Sequence, residues 1–354
     1  MEKPTVIDFF CGCGGLSKGY ELAGYNVLAG IDFDDAALRT YEQNHHSKGL
    51  RVDLFEDNAI TKIEETIGNK KIDVIIGGPP CQGFSLTGSR NFDDKRNKLY
   101  LTMFDAVAHF QPKAFMIENV PGMAKLYGGE VKEEIIRRFT NLGYNVVSQI
   151  VNAADYEVPQ IRKRLVFIGL KNGYYDFPKP VRTPDNYITC EEAISDLPPL
   201  IDELGEETSQ YSRQPVTDYQ RQMRGTNNVL HNHVAINHKQ FVKDVISQVP
   251  DGGNYKDLPV GVGESRIFHM AWTRYASNKP SRTIDTGHRN NFHYKYNRCP
   301  TVRESARLQS FPDDFVFVGN KTQQNRQVGN AVPVRMAFYI ATQLKNYLDD
   351  CKNN

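Results

Sequence analysis

Thr5-Val-Ile-Asp8-Phe9-Phe10-Cys11-Gly12-Cys13-Gly14-Gly15-Leu16-Ser17 decides the fold. An apolar run of strand length ends in a glycine-rich turn, and a helical pattern follows from about Ser17. Glycines in such a turn let the main chain approach a ligand closely. A nicotinamide fingerprint would want glycine at positions 12, 14 and 17, but Ser17 occupies the third. Cys11 and Cys13 lack a second cysteine pair at zinc spacing, so no metal site is expected.

Working outward, Val27 to Ile31 reads as a second strand and Asp35 to Asn44 as a helix. Ile72 to Ile76 and Ala114 to Ile117 read as further strands, Glu130 to Leu142 as a helix, and Arg164 to Gly169 as another strand. Strands alternating with helices predict an α/β fold, a doubly wound and mostly parallel sheet. Ligands of such sheets bind at the carboxyl ends of the strands. The pattern breaks near Phe177-Pro-Lys-Pro180, and the chain is polar and turn-rich to about Asn297. This predicts a smaller, irregular domain. Val332 to Leu348 is helical again. The expected division is residues 1–180, 181–317 and 318–354, the last returning to the first domain.

The 354 residues are 40% apolar, enough for a sizeable core. No apolar run approaches the roughly 20 residues of a membrane helix, and the first residues lack the form of a signal peptide. Six cysteines in this length form no disulfide framework, so a reducing, cytoplasmic setting is expected. The net charge of +1 favours no partner, but its distribution is uneven. Thr183 to Thr208 is acidic without a Lys or Arg. Arg266 to Arg303 is basic with Asp285 as its one acid, a pattern suited to a phosphate backbone.

Four further stretches carry chemistry. In Gly30-Ile-Asp32-Phe33 an acid ends the second strand, where it suits ribose hydroxyls, and the aromatic beside it suits an adenine face. Asp53 is placed to accept from an adenine amino group. Gly77-Gly-Pro-Pro-Cys81-Gln-Gly-Phe-Ser85 follows a buried strand directly; prolines fix the backbone and so the thiol. In Phe115-Met-Ile-Glu118-Asn119-Val120 a carboxyl ends a strand, placed to bond a ring nitrogen. In Gln160-Ile-Arg162-Lys-Arg164, alternation puts both arginines on one face, suited to a phosphate or a base carbonyl. Taken singly, each of these acids and arginines has a commoner use as a cap or a wet surface. Late in the chain, Thr301 to Glu304 forms a capping box, and Gly329-Asn330 precedes the final helix.

Together these motifs, in this order over nearly the whole length, resemble the DNA cytosine-5 methyltransferases, the bacterial restriction-modification enzymes in particular. The resemblance implies the S-adenosylmethionine-dependent methyltransferase fold. It implies that Phe10, Gly12, Gly14, Leu16, Asp32, Phe33, Asp53, Leu54, Leu99 and Asn330 line the S-adenosylmethionine pocket, with S-adenosylhomocysteine as product and no metal. It makes about 180 to 297 the target-recognition region, and residues 85–99 a loop closing over DNA, with Ser85 and Arg96 among its contacts. Cys81 is then the nucleophile toward C6 of a flipped cytosine, because thiolate is strongly nucleophilic near neutral pH. Glu118 would hold N3 and the exocyclic amine, Arg164 the base carbonyl, and Arg162 would help place Cys81 and the base. Arg274, Arg282 and Arg289 are the expected guanine readers, and Thr283 the hydroxyl near the flipped nucleotide. Double-stranded DNA is the expected partner, with a cognate restriction endonuclease in the same cell, and a monomer is expected. The rival within the family is a tRNA cytosine-5 methyltransferase; the long recognition segment and the lack of that branch's Cys-Phe-Thr motif oppose it.

Overall fold

A computed structural model describes residues 2–80, 98–201, 203–264, 271–287 and 291–350, the side chains of 98, 99 and 350 excepted. Its contacts divide it into two compact units: 1–152, 163–179 and 334–354 form the first, and 153–162 and 180–333 the second. The division therefore falls at 179/180 and 333/334, against 180/181 and 317/318 from the sequence, and residues 153–162 join the second unit.

The first unit holds β1 (Thr5–Phe9), α1 (Gly15–Leu22), β2 (Asn26–Asp32), α2 (Asp35–Asn44), β3 (Lys48–Arg51), α3 (Ala59–Ile67) and β4 (Val74–Gly77). It continues through α4 (Lys98–Phe110), β5 (Ala114–Asn119), α5 (Glu130–Asn141), β6 (Asn145–Asn152), β8 (Lys163–Leu170) and α11 (Val334–Asp350). Seven strands form one sheet in the order β3-β2-β1-β4-β5-β8-β6. All pairings are parallel from β3 to β5, whereas β8 runs antiparallel to both β5 and β6.

β1 and β4 lie inside the sheet with helices on its faces, so they read as continuous apolar runs rather than alternation. α5 buries Val131, Ile135 and Phe139, one face at four-residue spacing. Phe115 and Gly169 are register partners across β5 and β8. A Cβ on Gly169 would sit 2.1 Å from the Phe115 ring, so this glycine admits the ring, which packs on Phe139 with centroids 4.1 Å apart. α11 packs on α1: a Cβ on Gly19 would meet Ala337 Cβ at 2.4 Å, and the Tyr25 hydroxyl donates to the Ala341 carbonyl at 3.1 Å. Among the described residues no helix is long and apolar enough to cross a membrane.

The second unit contains β7 (Gln160–Ile161), α6 (Cys190–Ile194), β9 (Thr208–Gln210), α7 (Asp218–Arg224), β10 (Val229–His231) and α8 (Gln240–Ser247). After these come β11 (Thr273–Arg274), β12 (Ser281–Arg282), β13 (Asn291–Phe292), α9 (Val302–Leu308) and α10 (Lys321–Asn330). Its strands make three two-stranded pairs. An irregular backbone leaves carbonyls without ladder partners, and buried carbonyls need donors. Arginines supply them here. Arg303, fully buried, donates to the carbonyls of His231, Pro312 and Phe315. Arg307 bridges Asp196 and Asp313, with contacts of 2.7 and 2.6 Å. Arg298 clasps Glu304 through two 2.7 Å bonds and donates to Pro199 and Cys299. Burial works to raise the Glu304 carboxyl, yet Arg298 prevails and holds it well below the usual carboxylate range.

The basic character of 266–303 is thus only partly a surface property. Arg274, Arg298 and Arg303 are buried and serve the fold, a correction to their reading as a phosphate track. The Thr301–Glu304 capping box opens α9 as expected. Gly329-Asn330 ends α10 and precedes the final helix, α11, as expected.

Candidate active site

At the carboxyl end of β1 the backbone turns through left-handed conformations at Phe10 (φ 59°), Gly12 (φ 54°) and Gly14 (φ 94°). Only glycine adopts these without steric cost. A Cβ on Gly14 would fall 2.2 Å from the His45 ring, so no other residue fits there. At Gly12 the same position is open space. Gly14 then opens α1, bearing no side-chain cap of its own. Asp8 takes that role from below: its Oδ2 accepts from the Ser17 amide at 3.2 Å and from the Ser17 hydroxyl at 2.6 Å.

Asp32 ends β2 beside this turn. Its Oδ2 accepts from the Gly12 amide at 2.8 Å and its Oδ1 from the amides of Phe33 and Asp34, at 2.8 and 2.9 Å. The carboxylate therefore ties two strand ends together. Phe33 stands 71% exposed next to it, an apolar ring left in water at a strand end. Asp53 is exposed and closes an Asx turn, accepting from the Phe55 amide at 2.9 Å. Leu54 is buried, and its carbonyl accepts from the Thr102 hydroxyl at 2.9 Å. Leu16 is buried in the first turn of α1.

A second constellation lies at the ends of β4 and β5. Glu118 Oε1 is 2.7 Å from Arg164 Nε, and both side chains are largely buried. That atom is reached by no well-aligned donor, so the pair is a charge contact that leaves Glu118 acceptor capacity. Gly78 makes room for it: a Cβ there would lie 3.2 Å from Glu118 Oε2. Next in sequence, buried Asn119 donates to the Pro79 carbonyl at 3.0 Å. This bond fixes the prolines that lead to Cys81 against the strand that carries Glu118.

In the second unit, buried Arg162 donates to the carbonyls of Ile284 (3.4 Å) and Gly329 (3.1 Å). Asn330, next to Gly329, is exposed. A Cβ on Gly329 would meet the Asp285 carbonyl at 2.6 Å, so the Asp285–Thr286 main chain lies directly on this glycine. Gln160 adds to the same framework, accepting from the Ile284 amide and donating to Leu308 and Gln309. Thr283 donates to the Ile161 carbonyl at 2.9 Å, and Arg282 beside it is exposed.

Arg274 is put to another use than the sequence suggested. It is 5% exposed and donates to the carbonyls of Ile246, Val249, His293 and Tyr296 and to the Asn297 amide oxygen. Its guanidinium is spent on the fold and has no fork to offer a guanine. Cys81, Ser85, Arg96 and Arg289 lie outside the described residues, as do the expected loop up to residue 97 and the side chain of Leu99. Residues 98 and 99 begin α4 rather than ending that loop. The described residues contain no cluster of metal-ligating side chains.

Sequence reading passed over three contributors. Asn119 follows Glu118 in its motif, and its amide rather than a charge is what binds the Pro79 carbonyl. Ser17 occupies the place where a third glycine was sought, and its hydroxyl is the reason. Gln160, given above only as the first residue of its motif, is a buried junction.

The C-5 cytosine-specific DNA methylase family model matches residues 4–346. The chain is 39% identical to type II methyltransferase M1.HphI of Haemophilus parahaemolyticus, over 95% of this chain and 85% of that protein. It is 37% identical to type II methyltransferase M.DdeI of Desulfomicrobium norvegicum, over 98% and 89%. Among solved structures, a protein described as a DNA modification methyltransferase encoded within an Escherichia coli prophage superposes with a TM-score of 0.82 at 29% identity. That match covers 98% of this chain and all of the other. With the motifs on the expected strand ends and the match spanning both units, the chain belongs to the C-5 cytosine-specific DNA methylase family and is a DNA cytosine-5 methyltransferase.

Proposed function

We propose that this enzyme methylates one cytosine within a short duplex sequence through a covalent bond from Cys81 to C6 of the flipped base. The observation that carries the reading is Glu118. It is a largely buried carboxyl held by Arg164, with an oxygen lacking an aligned donor, beside the Gly78-Pro79 step that leads to Cys81. Such a group suits N3 and the amine of cytosine, and binding there favours charge on the ring as C6 is attacked. Addition of the Cys81 thiolate forms the S–C6 bond and makes C5 nucleophilic. Arg164 is near enough to Glu118 to meet the base carbonyl in the same site. Loss of the C5 proton and elimination at C6 then release Cys81. The base reaches the site only by leaving the duplex, at a cost of a few kcal/mol.

The ends of β1 and β2 fit S-adenosylmethionine: a half-buried carboxylate, an exposed ring and an open glycine side suit its ribose, adenine and methionyl parts. Gly12, Gly14, Asp32, Phe33 and Asp53 would hold it, with Phe10, Leu16 and Leu54 beneath. When bound it supplies an electrophilic methyl group. In the second unit Arg282 and Thr283 are the DNA contacts this reading retains, with Asn330 reserved for the cofactor. A cognate restriction endonuclease, a monomeric state and a cytoplasmic setting complete the reading.

Bisulfite sequencing of DNA from cells expressing the protein tests it. New methylcytosine at one recurring sequence is expected, and none with Cys81→Ser. Methylcytosine confined to tRNA would favour the rival, and methylation by the Cys81→Ser variant would end the covalent mechanism.

A further inference from the structure

We infer that Asp8 acts as a neutral acid, a positioning residue that clamps the first turn of α1 onto the end of β1 and so presets the glycine turn for the methyl donor. The inference rests on the proposed cofactor site and adds a device beneath it. Asp8 is 1% exposed. One of its oxygens takes both hydrogen bonds from Ser17, while the other, Oδ1, is buried without a partner. A charged carboxylate in a built ion site would have both oxygens served. This one has a hydroxyl, one amide and no cation. The titratable groups facing it are Asp32 from β2, Cys11 and Cys13 from the turn, Tyr20 from α1 and Tyr41 from α2. None of these bears a positive charge. From Ser17 the contacts run outward to the Tyr41 hydroxyl (3.3 Å) and the Ser47 hydroxyl (2.8 Å).

Burial raises the Asp8 carboxyl to about 7, against the two Ser17 bonds that lower it, and the Asp32 charge adds to the rise. A carboxyl raised in this way is neutral below that pH and charged above it. Once charged, its unserved oxygen must draw a donor, but the Cys11, Gly12 and Gly14 amides of the turn are already given to Ile31, Asp32 and Cys11, so serving it disturbs the bonds that hold the turn in shape. Affinity for the cofactor should therefore be full in mild acid and fall as pH rises.

The test is calorimetric binding of S-adenosylhomocysteine to the full chain at about pH 6 and about pH 8, where one linked proton allows up to tenfold per pH unit. The parent protein should bind more weakly at the higher pH. Asp8→Asn keeps a neutral acceptor for Ser17, so its affinity should lose the pH dependence and exceed the parent's at the higher pH. Ser17→Ala, which removes the clamp, should weaken binding at both values by about tenfold, the worth of one to two hydrogen bonds. A parent profile that is flat or rises with pH overturns the inference, and this needs no variant to fold. Asp8→Asn binding as poorly as Ser17→Ala at the lower pH would show that the charge is what matters and would also overturn it. Asp32→Asn and Phe33→Ala serve as separate arms. If both bind normally, the cofactor-site reading has failed, whatever Asp8 does.

Discussion

Replacing Arg274 separates a scaffold arginine from a reader of DNA. Its guanidinium supplies donors to four main-chain carbonyls and one amide oxygen, at 2.6 to 3.3 Å, in a site 5% exposed. Two of those carbonyls lie at the carboxyl end of α8, Ile246 in its last turn and Val249 just beyond its cap, where a cation also meets the helix dipole. Arg274→Ala strands these acceptors. Each buried orphan costs about 1–3 kcal/mol, but relaxation and entering water recover part of it. The expected loss is about 3–5 kcal/mol, as for a buried charged group whose network is broken. Trp272 is the chain's one tryptophan, is buried, and packs with Ile246, Val249 and Phe292, the first two of which accept from Arg274. Urea unfolding followed by its fluorescence therefore reports this unit directly. Arg274→Lys, a point charge with three donors, should lose roughly half as much. A change within about 0.5 kcal/mol, coupled with relaxed sequence preference at one base, would refute the assignment and return Arg274 to the DNA.

Three other outcomes follow from the structure. Burial holds His293 down to about 3 and lowers His233 as well, so both are neutral in the fold. Their stabilisation is present above the unfolded value near 6.5 and is lost as pH falls below it, by about 1.4 kcal/mol per unit for His293, with His233 acting in the same direction. Trp272 fluorescence should show this loss between about pH 6.5 and pH 5, and a flat profile would contradict it. Phe33→Ala, at an exposed ring, should leave the melting temperature unchanged and weaken S-adenosylhomocysteine binding by about 1 kcal/mol, measured calorimetrically. Gly329→Ala drives a methyl into the Asp285 main chain, 2.6 Å away, and should cost the second unit about 1–3 kcal/mol in urea unfolding.

The sheet's centre was legible because β1, β2, β4 and β5 are apolar runs bounded by turns. Its edges were not. β3 is Lys48-Gly-Leu-Arg51, with one apolar side chain, and β6 mixes Ser148 and Gln149 among its valines; both strands lie at the margins, where one side is wet. α3 and α4 were also passed over, although Ile63, Ile67 and Met103 bury one face of each. Motif positions carried the site well, since a glycine turn or a Pro-Pro-Cys step has few other uses. What a linear reading cannot separate is a buried charge from a solvated one. Arg274 and Arg282 look alike in sequence, yet one feeds carbonyls and the other is exposed. That difference depends on which carbonyls the fold leaves without partners.

The packing of α11 on α1 bears on how the protein is made. The seven strands of the sheet have all been synthesised by Leu170, yet the contacts of Gly19, Tyr25 and Ala23 with Ala337, Ala341 and Lys345 must wait for α11. A nascent chain must therefore carry a complete sheet with the outer face of α1 bare while more than 150 further residues, 171–333, leave the ribosome. Translation runs at roughly 5–20 residues per second, so that face waits many seconds for its cover. Messages truncated before α11 should yield chains that chaperones hold and proteases clear, and so no partial enzyme able to methylate the genome out of turn.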